Sequence, residues 1–173
     1  MNALLRSALR LIDRVAPPPT VHAHCDIPCG IYDPHLAQIG ALTCIRMNQL
    51  INDLGDAPGP GDKQKNDAWH NSLARYVLVK EEHAELVKKE VRIIWGDYFK
   101  PEHLEKHPDL HATVWNIMKL GSKVRQNVDL QAAEDLLAEV QKFAEAFWAT
   151  KDAKTERQPS RQAVGGEIVV PAE

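Results

Sequence analysis

The sequence predicts an all-α protein: an antiparallel up-down four-helix bundle with an N-terminal metal-binding hook. Three observations lead there. Apolar residues recur at helical spacing in four segments between Pro34 and Thr150. Short connections join those segments, and no stretch alternates as a half-buried strand would. Ahead of them, His24, Cys25 and Cys29 put one imidazole and two thiols within six positions.

Residues 1–23 read as a leader peptide that is cleaved. Arg6, Arg10 and Arg14 recur every four residues and form one charged helical stripe. Leu4, Leu5, Ala8, Leu9, Leu11, Ile12 and Val15 fill most of the remainder. The segment lacks the unbroken apolar core of a secretory signal, so a cytoplasmic location is expected. Pro17, Pro18 and Pro19 end the helix and hold the following residues extended. Val21-His22-Ala23 has the small residue expected at a cleavage site. A plain N-terminal arm is the competing interpretation.

Residues 24–33 form the hook, with Pro28 and Gly30 bending the backbone around the donors. Two thiolates and a nitrogen donor make a compact, soft, partly anionic metal site. Cleavage after Ala23 would make His24 the amino terminus. It would then offer an α-amine as well as its imidazole, beside the amide and thiol of Cys25. Such nitrogen and sulfur donation in a plane suits Ni(II) or Cu(II), with the imidazole as a fifth, axial donor. A metal-free turn and a zinc clip compete with this. Zinc ordinarily takes four side-chain ligands, and no second cysteine pair follows. A redox pair of the thioredoxin kind would have two intervening residues; this pair has three.

Residues 34–150 form the bundle. The first helix is expected from Pro34 to Leu54, with Asp33 as its cap and Leu36, Ile39, Leu42, Ile45, Leu50 and Leu54 on its apolar face. Three Gly and two Pro between Gly55 and Lys63 make a loop. The second helix is expected from Asp67 to Tyr98, with Leu73, Val77, Leu86, Val87, Ile94 and Trp95 inward. Its charged stretch from Lys80 to Glu90 faces water in part. The Lys-Pro step at Pro101 breaks the chain. A third helix starts near Pro108, lined by Leu110, Val114, Ile117, Met118 and Leu120. Gly121 and Asn127 weaken its end. The fourth runs from Asp129 to Thr150, with Leu130, Ala133, Leu136, Leu137, Val140, Phe143 and Phe147 inward. Residues 151–173 are polar, contain Gly and Pro, and are expected to be disordered.

The totals exclude several classes. A net charge of −3 leaves no basic footprint for nucleic acid. No run approaches the roughly 20 apolar residues of a membrane span. Three cysteines, an odd number in a chain of this length, do not make a disulfide framework. Cys44 lies inside a helical pattern and is expected to be a small buried hydrophobe.

The uninterrupted string His24-Cys25-Asp26-Ile27-Pro28-Cys29-Gly30-Ile31-Tyr32-Asp33-Pro34 resembles the nickel superoxide dismutases. Trp95-Gly96-Asp97-Tyr98-Phe99-Lys100-Pro101 is similar to a second signature of that family, and the likeness spans roughly His24 to Thr150. The resemblance implies a four-helix bundle that assembles as a homohexamer. It implies a nickel ion held by the His24 amine and imidazole, the Cys25 thiolate and amide nitrogen, and the Cys29 thiolate. It places the Asp26 backbone near the open metal face, Tyr32 over that face, and Tyr98 behind it as a further phenol. Pro28 would shape the turn. The implied activity is an antioxidant one: superoxide becomes dioxygen and hydrogen peroxide by Ni(II)/Ni(III) cycling, after a protease removes the leader. Lys100 is a candidate for a local positive field that attracts the anion.

One departure stands out. The family commonly anchors the axial imidazole with an acidic residue in the first helix and an arginine in the second. Those register positions hold Gly40 and His83 here. A metal-bound histidine needs its other ring nitrogen oriented by a partner, and His83 is a candidate; a solvated surface histidine is the alternative. The rival function is a non-catalytic nickel or copper carrier or sensor using the same hook, to which His22, His24, His35, His70 and His83 would contribute. A helical interaction protein with a cleavable arm is a third.

Overall fold

A computed structural model describes residues 30–59 and 61–172. The chain divides into two units, 1–30 and 31–173. Among the described residues the second unit is mostly helical. Its elements are α1 (His35–Asp53), α2 (Lys63–Ile93), a π-helical turn (Ile94–Tyr98), α3 (Pro101–Lys106), α4 (Leu110–Gln126), α5 (Leu130–Ala149), β1 (Thr155–Pro159) and β2 (Glu167–Pro171).

The helix starts follow cap chemistry. Asp33 Oδ1 accepts from the His35 amide at 2.7 Å, which satisfies one of the donors that open α1. Asp62 accepts from Lys65 N at 3.0 Å and Asp129 from Ala132 N at 2.9 Å, starting α2 and α5. The Asp62 cap begins α2 four residues earlier than the sequence pattern suggested. Gly55, at φ +61°, ends α1 in the left-handed conformation that a residue without Cβ adopts cheaply.

Long helices α1 and α2 pack on one another, as do α4 and α5; α1 also meets α5, and α2 meets α4. The shared core holds Leu42, Cys44, Ile45, Val87, Val91, Ile94, Val114, Ile117, Leu136, Val140, Phe143 and Phe147. A fully buried Phe or Leu of this kind contributes about 1.5–3 kcal/mol. The α5 face is the one expected, apart from Leu130, which is half-buried. The α1 face is shifted. Leu36 is 46% exposed, and the buried stripe is Ala37, Gln38, Gly40, Ala41, Leu42, Cys44, Ile45 and Asn48. Small residues there bring the α1 and α2 backbones close. Trp95 also departs from expectation: it is 38% exposed and donates its indole N–H to His111 Nδ1 at 2.9 Å.

Lys80 departs furthest from the water-facing stretch to which it was assigned. It is 2% exposed. Its ammonium donates to the carbonyl oxygens of Val124, Arg125 and Asn127, the last at 2.6 Å. The cation therefore closes the C-terminus of α4, where carbonyls lack helical partners and the helix dipole is negative. This carries α4 past Gly121, whose missing Cβ leaves room for the Lys88 side chain.

Residues 151–173 were expected to be disordered, and here the structure corrects the sequence. β1 and β2 pair antiparallel, with Arg157 opposite Val169. Gly165 and Gly166, at φ +73° and +75°, shape the return between them. The β-branched run Ile168-Val169-Val170 forms the inner strand, with Val169 buried. Gln38 of α1 fixes the hairpin by two hydrogen bonds: its Nε2 donates to Val169 O at 2.9 Å, and its Oε1 accepts from Val169 N at 2.7 Å. Gln141 of α5 adds a bond to Glu167 O at 2.8 Å. The side chain of a buried helix residue thus acts as a third strand for one residue.

Candidate functional site

Four of the expected site residues, His24, Cys25, Asp26 and Cys29, lie outside the described residues. So does Pro28. Among the described residues, no three His, Cys, Asp or Glu side chains gather as metal ligands. The third cysteine is no thiolate donor. Cys44 has no exposed surface, and burial pushes its thiol up to about 12. Its Sγ donates weakly to the Lys80 carbonyl oxygen, 3.8 Å away. Of the three thiols, Cys25 and Cys29 are the two that remain to act as soft anionic donors, a set that fits nickel.

The structure brings the two expected phenols together. Tyr32 lies between Gly30, at φ +72°, and the start of α1. Its ring packs against Tyr98, with centroids 5.5 Å apart and planes at 52°. Tyr98 closes the π-helical turn, where the Phe99 amide reaches back to Ile94 O at 3.3 Å. That extra residue in the turn sets where the Tyr98 ring points; single π turns recur at functional sites. The chain then extends through Phe99 and Lys100 into Pro101, as residues before proline tend to do.

Tyr98 is held on several sides. Phe147 stands 4.9 Å away by ring centroid, Phe99 5.4 Å, and His103 5.6 Å in a stacked arrangement. His103 Nδ1 accepts from the Lys100 amide at 3.1 Å, so its ring proton sits on Nε2. The Tyr98 hydroxyl lies 2.7 Å from Thr150 Oγ1. Lys151 Nζ is 5.0 Å from the Tyr98 ring centroid and 5.2 Å from that of Phe147. Thr150 and Lys151 escaped sequence reasoning. They stand 52 and 53 positions after Tyr98, at the end of α5, and no motif links the two segments.

At Gly40 and His83, where the resemblance implied an acid and an arginine, the local packing is tight. Gly40 is buried, and an added Cβ would lie 2.9 Å from Val87 Cγ2 and 3.2 Å from His83 O. A carboxylate side chain has no room at that position. His83 Nδ1 sits 2.8 Å from Val79 O. A carbonyl oxygen only accepts, so Nδ1 carries the ring proton and Nε2 is left as an acceptor.

A family model described as nickel-containing superoxide dismutase matches residues 19–151. The chain is 36% identical over 138 residues to a nickel superoxide dismutase of Streptomyces coelicolor, covering 80% of this chain and 95% of that protein. A nickel superoxide dismutase of Streptomyces seoulensis is 34% identical over the same length. Among solved structures, a native nickel superoxide dismutase superposes with a TM-score of 0.60 at 34% identity, covering 74% of this chain and 99% of that one. Another, with nickel ligation corresponding to the oxidised state, gives 0.64 at 32%, covering 75% of this chain and all of that one. The hook string and both tyrosines fall inside the matched residues, and the chain belongs to the nickel-containing superoxide dismutase family.

Proposed function

We propose that this chain is a nickel-dependent superoxide dismutase that works from an N-terminal hook exposed by cleavage after Ala23. Two superoxide anions and two protons become dioxygen and hydrogen peroxide. The observation that carries this reading is the donor string His24–Cys29, which lies inside the family match and is followed at once by Tyr32, a phenol packed on Tyr98.

The ligands proposed are the His24 amine and imidazole, the Cys25 thiolate and amide nitrogen, and the Cys29 thiolate. Bound nickel supplies a one-electron Ni(II)/Ni(III) couple that oxidises one superoxide and reduces the next. The chain's own residues do the rest. The thiolates and the amide nitrogen are strong electron donors and favour the higher oxidation state. The Asp26 backbone and the Tyr32 hydroxyl would offer hydrogen bonds to a small anion that approaches the held nickel. Tyr98 backs Tyr32 and limits how far its ring can swing. Lys151 and Lys100 add positive charge in a chain whose net charge is −3, which favours approach of an anion locally.

The wider reading goes with this function. An antiparallel up-down four-helix bundle is supported by the closed ring of contacts α1 to α2 to α4 to α5 and back to α1. Assembly as a homohexamer would cover exposed apolar side chains such as Trp115, 62% exposed, and Leu78, 57% exposed. Among the described residues no helix is long and apolar enough to cross a membrane. A cytoplasmic location and a leader-processing protease complete the reading, supported by an N-terminal segment without an unbroken apolar core.

The test compares the full chain with protein that begins at His24, each loaded with nickel. Superoxide decay should be fast only in the second, because the His24 amine exists only there. Equal rates would overturn the processing step.

A further inference from the structure

Tyr98 has a partner that fixes the direction of its proton. Thr150 Oγ1 lies 2.6 Å from Phe147 O, a carbonyl that only accepts, so the single threonine hydroxyl proton is committed there. The same Oγ1 lies 2.7 Å from the Tyr98 oxygen. With its own proton spent, Thr150 must accept, and the Tyr98 phenol must donate. Both groups are partly buried, where water competes poorly for these bonds. The chain Tyr98 to Thr150 to Phe147 O is therefore polarised in one direction and ends on a backbone group at the last turn of α5.

We propose that Thr150 is a positioning residue for the dismutase site: it takes the proton of Tyr98 and so leaves the Tyr98 oxygen able only to accept hydrogen bonds from any other group. The inference rests on the dismutase reading for its consequence, not for its geometry. A phenol without such a partner could act as donor or as acceptor toward its surroundings. Thr150 removes that ambiguity. Tyr32, whose ring is 5.5 Å from that of Tyr98, then packs against a phenol of fixed polarity. Phe147, which supplies the final carbonyl, also packs its ring on Tyr98 at 4.9 Å, so one residue sets both the position and the polarity of the phenol. Lys151, next in sequence, brings its ammonium to 5.0 Å from the same ring.

The test uses three proteins: the wild type, Thr150→Val and Thr150→Ser. Valine keeps the volume and removes the acceptor; serine keeps the hydroxyl. In the full chain without nickel, tyrosine labelled with carbon-13 at Cζ reports donation by each phenol. Thr150→Val should move the Tyr98 resonance and leave Tyr76 in place, and Thr150→Ser should restore the wild-type position. In the nickel-loaded enzyme, Thr150→Val should slow superoxide decay about tenfold, the lower end of what loss of an outer hydrogen-bond partner costs, with nickel content unchanged and Thr150→Ser near the wild type. A Tyr98 resonance indifferent to Thr150→Val would overturn the proton assignment. A moved resonance with an unchanged rate would overturn the positioning role. A wild-type holoenzyme without dismutase activity would fail the functional reading, while the resonance result would still stand or fall by itself.

Discussion

Gly40 of α1 lies against the backbone of His83 in α2, so closely that a Cβ on Gly40 would stand 3.2 Å from the His83 carbonyl oxygen and 2.9 Å from Val87 Cγ2. These are the two register positions at which the resemblance implied an acid and an arginine. Their contact is made by backbone and a stiff β-branched side chain, neither of which yields easily. Gly40→Ala should therefore destabilise the protein. Overpacking costs about 1–3 kcal/mol, offset in part by the roughly 1 kcal/mol that alanine gains over glycine inside a helix. Chemical denaturation of the variant should show a lower midpoint; a raised midpoint would mean that the helices can part without penalty.

His83 offers the second test. Its Nδ1 is committed to Val79 O, so any orienting bond to the His24 imidazole must come through Nε2. His83→Ala should keep bound nickel, because the proposed hook donors are untouched. The Ni(III) paramagnetic spectrum should lose part of its axial nitrogen splitting, and turnover should fall about 10–100-fold, the usual effect of removing a ligand's hydrogen-bond partner. An unchanged spectrum and rate would assign the orienting role to another group.

Much of the fold could be read in advance, and the failures have identifiable causes. Asp33 marks the start of α1, and the start read at Asp129 holds for α5, because a short carboxylate reaches back to free amides. Cys44 is buried as its helical position implied. The π turn that aims Tyr98 leaves no trace in a pattern of apolar spacing, since one inserted residue shifts the register only locally. Helix α3 was hidden by Pro101, which reads as a break but also suits a first helical position. Lys80 is a charged residue whose partners are carbonyls 44 to 47 positions away, so nothing near it in sequence announces its burial. The hairpin was missed because its polar outer strand and two glycines look like a tail; what orders it is the Gln38 side chain, far upstream. The phenol pair followed from resemblance, whereas Thr150 had no local signal.

Gln38 gives a third prediction. Gln38→Ala would leave the Val169 N–H and C=O buried without partners, at about 1–3 kcal/mol each. The hairpin should detach before the helices unfold. Hydrogen exchange at Val169 and Gln158 should accelerate strongly in the variant, while exchange at Val140 and Ile117 should change little. Uniform protection in both segments would show that other contacts hold the hairpin.

Cys44 sets a pH dependence. Burial raises its thiol from 9.0 to about 12, so the folded state holds a proton that the unfolded state releases. Stability from this group is complete below about pH 9 and is lost as pH rises toward 12, at up to about 1.4 kcal/mol per pH unit. Denaturation midpoints measured from pH 8 to pH 11 should fall less steeply in Cys44→Ala than in the wild type. Parallel slopes would show that the thiol is not the group responsible.

The central claim is that the two hook thiolates carry nickel-dependent superoxide removal. The most direct measurement is superoxide decay during nickel titration of protein beginning at His24, for the wild type, Cys25→Ser, Cys29→Ser and Cys44→Ser. The wild type and Cys44→Ser should gain activity in proportion to nickel up to one ion per chain. Both hook variants should stay near the uncatalysed rate, because a serine hydroxyl is a harder and far less acidic donor. Full activity in either hook variant, or wild-type decay indifferent to nickel, would contradict it.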